Sequence, residues 1–167
     1  MNQKLNQYVE ILSQQNRVLR GLLELTREKK QYIILGEVRE LDGLLKKEAG
    51  LVMSLEALEE RRFHSQGELI HLLGAAGEES GASRLLEMVR EKGFSGAEAL
   101  QEQLEEMQAA VNMLKLLNRE NEDLINQSLA FIQSLEEAVT RGGASTYSRE
   151  GTMVDSKSKL TILDRKV

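Results

Sequence analysis

Apolar residues recur along this chain at alternating steps of three and four, the spacing that lines one face of an α-helix. Starting at Leu41 the sites are Leu44, Glu48, Leu51, Leu55, Leu58, Arg62, Ser65, Leu69 and Leu72. A second unbroken series starts at Leu100 and runs through Leu104, Met107, Val111, Leu114, Asn118, Asn121, Ile125, Ser128, Ile132, Leu135 and Val139. The first segment is looser: Leu5, Tyr8 or Val9, Leu12, Gln15 or Asn16, Leu19, Leu22 or Leu23, Thr26, then Ile33. Its middle and end are polar, which predicts a weaker seam there.

Glycines and capping residues set the boundaries. Gly36 follows Ile33-Ile34-Leu35 and predicts a hinge or short turn, and Gly74–Ser83 holds three glycines with no apolar period, the clearest loop. A short helix over 82–92 carries Leu85, Leu86, Met88 and Val89, and Gly93 is placed to stop it. Ser95 and Glu98 have capping-box spacing, which starts the last helix there, and Gly142-Gly143 ends it. The expected helices are 3–34, 37–73, 82–92 and 96–140 in a bundle over 1–142.

At 1.5 Å per residue, three helices of roughly 30, 38 and 43 residues reach about 45, 57 and 65 Å. Rods of that length lie side by side or pair with another chain. The expected fold is all-α: an elongated antiparallel helical bundle of three long helices plus one short helix. Residues 143–167 change to Gly, Ser, Thr and Lys with scattered apolar residues, and are expected to form a flexible C-terminal tail.

Composition sharpens this picture. The chain has no proline in 167 residues, consistent with nearly continuous helix. It has no cysteine, so disulfides, thiolate nucleophiles and Cys-ligated metals are excluded. Aromatic residues make up 4%, thin for a base-stacking surface, and the net charge of −5 argues against a phosphate-backbone binder, so no nucleic acid is expected. No apolar run approaches the roughly 20 residues that cross a bilayer, so no membrane insertion is expected, and with no apolar h-region or cleavage-like site in MNQKLNQYVEILSQQ no secretion signal is expected either. Residues 141–167 hold six basic and three acidic residues, which leaves −8 for the first 140.

Candidate chemistry is sparse. His64, Glu68 and His71 share one helical face with the Glu-x-x-His spacing of di-iron bundles, but such sites need two motifs and further glutamates. The heptad frame also puts both histidines on the outer face, so no metal is expected. Carboxylate pairs such as Glu59-Glu60 are ordinary on acidic helix faces. No catalytic residue and no cofactor site emerges, and the chain does not read as an enzyme.

Two features of the last helix are more informative. Asn118 and Asn121 occupy consecutive seam positions, where a buried Asn fixes register at a cost in stability. Beside that seam, Ala110, Leu117, Leu124, Phe131 and Ala138 repeat every seven residues, with Met113, Leu116 and Leu129 adding apolar surface elsewhere. Either the helix packs against two neighbours, or it keeps an apolar groove for a partner.

The order of these segments resembles the flagellar export chaperone FlgN family. The resemblance is carried by Leu41-Asp42-Gly43-Leu44-Leu45 opening the second helix, which runs through residues 55–62 (LEALEERR) to the Leu-Leu-Gly stop at 72–74. It continues through Leu117-Asn118-Arg119-Glu120-Asn121-Glu122-Asp123-Leu124-Ile125, Ser128-Leu129-Ala130-Phe131-Ile132 and the tail element around Tyr147. The family implies a cytoplasmic chaperone of flagellar type III secretion that binds the C-terminal helical segments of the hook-associated proteins FlgK and FlgL. It then delivers them to the export gate protein FlhA. Substrate binding would fall on the second half of the last helix and the tail, here Leu117, Leu124, Leu129, Phe131, Leu135 and Tyr147. Tyr147 would serve gate docking, and Asn118 and Asn121 belong to the family signature. The competing reading is a structural coiled-coil adaptor or tether with a homo-oligomeric core.

Overall fold

The computed structural model describes residues 2–74 and 81–142. The described residues form four α-helices: α1 (Asn2–Leu35), α2 (Val38–Leu72), α3 (Ala82–Glu91) and α4 (Ala97–Gly142). There is no strand among them, and the fold is all-α. Residues 75–80, inside the expected loop, and the tail expected over 143–167 lie outside the described residues.

Each change of direction is written in backbone hydrogen bonds. Gly36 has φ +68°, its N–H donates to Ile33 O, and Glu37 N–H reaches back to Tyr32 O. This is the double bond of a Schellman stop, and glycine adopts its left-handed conformation without a Cβ clash. Gly93 repeats the motif at the end of α3, with φ +69° and Phe94 N–H bonded to Val89 O. Phe94 follows the turn inward and packs against the core. At the end of α2, Leu73 is buried, whereas the seam residue Leu72 is exposed. The Leu73 carbonyl takes a hydrogen bond from Lys92 Nζ at 2.8 Å, which ties the end of α3 to that of α2.

The chain divides into two units, the first being Met1–Leu124. Within it α1 runs antiparallel to α2: Lys4 pairs with Glu68, Tyr8 with Gln66, Gln15 with Glu59 and Lys29 with Glu48. The first part of α4 runs parallel to α1, through Asn16 to Gln103, Arg20 to Glu106 and Lys30 to Glu120. The α1 helix therefore has two neighbours along its length. This is why its polar seam is buried rather than weak: Gln15, Asn16 and Thr26 are each at most 2% exposed.

The core is densest where α3 joins the bundle. Leu5, Tyr8, Leu12, Leu69, Leu73, Leu85, Met88, Val89 and Leu100 form one cluster, and burying each large side chain contributes about 1.5–3 kcal/mol. A smaller cluster of Leu19, Leu22 and Ala110 follows along the bundle, with Leu51, Leu55, Val111 and Leu114 packed on it.

The start of α4 differs from its capping-box prediction. The first helical bond runs from Leu100 N–H to Gly96 O, so the helix begins one residue later, with Gly96 at the cap. A Cβ on Gly96 would stand 2.7 Å from Leu5 Cδ2, closer than carbon atoms tolerate. A side chain there would have to displace Leu5 from the core, so glycine lets the start of α4 approach α1.

The buried side of α4 is wider than one seam. Sequence spacing placed the seam on Leu104, Val111, Asn118 and Ile125 together with Met107, Leu114 and Asn121. In the structure Ala110 and Asn121 are buried and Leu104, Met107, Val111, Leu114, Leu117 and Leu124 are all half-buried, so burial takes in the seam as far as Leu114 and the Ala110–Leu117–Leu124 row beside it. Asn118 is exposed, because the helix turns the Ala110–Leu117–Leu124 side toward α1. Of the two asparagines only Asn121 fits the register role, at 3% exposure and with Nδ2 donating to Thr26 O at 3.0 Å.

Candidate partner-binding face

The second unit begins at Ile125, and every side chain described in it, residues 125–140, is exposed. Six of these are large and apolar: Ile125, Leu129, Phe131, Ile132, Leu135 and Val139, between 41% and 65% exposed. Four of them continue the heptad series of the sequence, and Phe131 continues the seven-residue repeat from Ala110, Leu117 and Leu124. The residues form a helix because they hold no Gly or Pro from 125 to 140 and keep strong helix formers between the branched ones. Ser134 and Thr140 turn their hydroxyls back onto the Phe131 and Glu136 carbonyls, the local bonding that lets such residues sit in a helix.

Scattered exposed leucines are ordinary on protein surfaces. Six large apolar side chains within fifteen residues on one side of a helix are not, and such patches mark interaction sites. The electrostatics agree, since Glu136 and Glu137 are the only charged residues from 125 to 140. The α4 residues of the first unit are far more charged.

Of the side chains expected to meet a partner, Leu129, Phe131 and Leu135 share this exposed face. Leu117 and Leu124 are half-buried in the first unit. Tyr147 lies outside the described residues. Ile125, Ile132 and Val139 were read as seam residues and stand exposed beside the other three; the unbroken heptad hid them, because spacing alone does not say where a neighbouring helix stops.

A groove also opens between α2 and α4. Its floor is Leu12, Ile70, Leu104, Met107 and Val111, and Phe63 stands exposed on its wall. The polar groups at its rim serve the fold. Arg62 clasps both carboxylate oxygens of Glu59, donates to Gln66 Oε1 at 2.6 Å and reaches the Tyr8 hydroxyl. The Arg62 bond holds the Glu59 carboxyl below its ordinary range, and Glu59 in turn raises Arg62. Burial raises the Tyr8 phenol, partly offset by its bond to Arg62. Glu59 and Arg62, both on α2, hold each other in their charged forms, and Gln15 on Glu59 with Tyr8 on Arg62 ties the pair to α1; this is a structural clasp between the two helices rather than an acid–base pair.

His64 and His71 are both exposed, and His64 Nε2 sits 3.5 Å from Glu68, whose other oxygen takes Lys4. Among the described residues no group of three potential metal ligands comes together. No helix among them is long and apolar enough to cross a membrane.

No curated protein and no solved structure matches the chain. The family model described as FlgN protein matches residues 1–155, nearly the whole sequence. With an all-α fold and an uncovered apolar face at the end of its last helix, the chain belongs to the FlgN family, whose role is that of flagellar export chaperone.

Proposed function

We propose that this protein is a cytoplasmic chaperone for hook-associated subunits, FlgK or FlgL, and that it holds their C-terminal helical segments on residues 125–139 of α4. The observation that supports this reading is the exposed stripe from Ile125 to Val139 on a helix whose first part uses the same heptad register to build a core. An exported subunit must stay unassembled until it leaves the cell. A helix offering apolar positions at heptad spacing does this by standing in for the subunit's eventual helical neighbour. No cofactor or bond-breaking step is needed. The low charge of the face keeps desolvation small on binding, while the acidic first unit keeps the loaded chaperone soluble.

Delivery to the export gate protein FlhA completes the reading, with Tyr147 as the docking residue. The basic tail around it gives that contact a salt-sensitive component.

Calorimetric titration with the C-terminal segment of FlgK or FlgL tests the assignment. Leu129→Ala with Phe131→Ala should weaken binding at least about tenfold, a loss of roughly 1.4 kcal/mol or more, while the melting temperature holds. Unchanged binding would remove the face from the account. Deleting residues 143–167 or replacing Tyr147 by Ala should leave subunit binding intact and abolish secretion. Normal secretion by either variant would refute the gate-docking role.

A further inference from the structure

Leu129 and Phe131 are two residues apart on one helix, so they point about 160° apart across its apolar side. Both are more than half exposed. Between them around the helix lie Ile125, Ile132, Leu135 and Val139, interrupted only by Ser128 and Glu136. A helix that meets a single neighbour needs a stripe of two positions per heptad, on the order of 100° wide. This stripe is too wide for one helix to cover.

The first part of α4 shows what such width accommodates. On one side of its stripe, Gln103, Glu106, Glu120 and Asn121 reach α1. On the other, Val111 and Leu114 join Leu51 and Leu55 of α2 in the second core cluster. Two helices lie against residues 97–124, and the wide stripe continues without a break in spacing from Ile125 to Val139.

We propose that residues 125–139 receive two helices of one partner, packed side by side, rather than a single helix laid along the face. The inference rests on the chaperone reading above, with the exported subunit supplying the pair. Each helix would offer an apolar stripe over about four turns, some 22 Å of length. One would bear on the Phe131 and Leu135 edge and the other on the Leu129 edge. Glu136, which lies within the stripe between Ile125 and Leu129 around the helix, calls for lysine or arginine on the partner near the Val139 end. A second copy of this chain fits less well, because its own residues 125–139 would bring one helix and leave an edge bare.

The chain has no cysteine, which allows a direct test. Leu129→Cys and Phe131→Cys are made separately in the full-length chain, and maleimide reaction rates are measured alone at two concentrations and with saturating full-length FlgK or FlgL. The proposal expects both thiols to react freely and independently of concentration in the free chain, and each to slow at least about tenfold in the complex. Protection of only one thiol means a single helix and overturns the proposal. Concentration-dependent protection without the subunit assigns the face to a second copy and overturns it too. A complex that forms with both thiols still reactive overturns the proposal and moves the subunit to another surface. If neither subunit forms a complex, the chaperone reading fails and this inference falls with it.

Discussion

Asn121 is the clearest place where this bundle gives up stability. Its side chain is 3% exposed, Nδ2 donates to Thr26 O, and Oδ1 has no partner. The bond is not essential to its acceptor, because Thr26 O lies inside α1, where the helix ladder supplies an amide from four residues on. Leucine has the same branched outline and the same number of side-chain heavy atoms. Replacing Asn121 by Leu would lose one hydrogen bond, about 1 kcal/mol, and remove an orphaned acceptor that costs about 1–3 kcal/mol. It also adds apolar burial, part of which the larger methyl groups consume in tighter packing. The expected balance is a gain of about 1–2 kcal/mol, or roughly 2–8 °C in melting temperature for a chain of this size. Asn121→Asp, equally isosteric, should do the reverse by several kcal/mol, since it buries a carboxylate facing a carbonyl. A polar seam residue also specifies alignment, so the leucine variant should populate extra oligomers in native mass spectrometry. Urea and thermal unfolding followed by circular dichroism decide the first point. If Asn121→Leu melts below the unmodified protein, the amide is a net stabiliser and the reasoning fails.

Gly96→Ala should destabilise the bundle by about 1–3 kcal/mol, because its Cβ would meet Leu5 Cδ2 at 2.7 Å; combined with Leu5→Ala, itself costly at a core position, the two losses should be less than additive, and additive losses would refute the contact. The clasp between α1 and α2 predicts two pH limbs. Glu59 is depressed by Arg62, so its contribution is full above the ordinary carboxylate range and is lost as pH falls through the folded value, and Glu59→Gln should flatten the acid limb of stability. Tyr8 is raised by burial, so its contribution is full below about pH 10 and is lost above it as the phenol ionises, and Tyr8→Phe should flatten the alkaline limb. Unfolding midpoints from pH 3 to 11 check both signs.

Much of this architecture is legible in the apolar spacing, and the discrepancies have specific causes. Gly36 and Gly93 are stops in the sequence and stops in the structure, since only a left-handed residue closes those turns. The polar run Gln15-Asn16 reads as weakness in a two-helix seam. It is buried because α1 is flanked on two sides, so each amide nitrogen finds an acceptor, Glu59 from α2 and Gln103 from α4, while the two amide oxygens stay unpaired. In α4, apolar residues occur on both sides of Met107, Leu114 and Asn121; as far as Leu114 both flanks are covered, and beyond it only the Leu117–Leu124 flank is. The choice depends on where α3 returns the chain, a tertiary fact with no local signature. That is why Asn118 and Asn121 looked equivalent while only Asn121 is inside. Gly96 was missed because close approach of two helices leaves no trace except the glycine itself. The exposed face was half visible: the excess of apolar positions was plain, but spacing could not show that burial ends at Leu124.

Amide hydrogen exchange of the full chain, with and without FlgK or FlgL, tests the central claim most directly. Alone, residues 125–140 should exchange orders of magnitude faster than the core around Leu12, Leu69 and Leu100, since no side chain there is buried. Saturation with the subunit should slow exchange across Ile125–Val139, with little change in α1 and α2. Protection gathered along α1 and α2 instead, with residues 125–139 unaltered in a complex that demonstrably forms, would contradict the account.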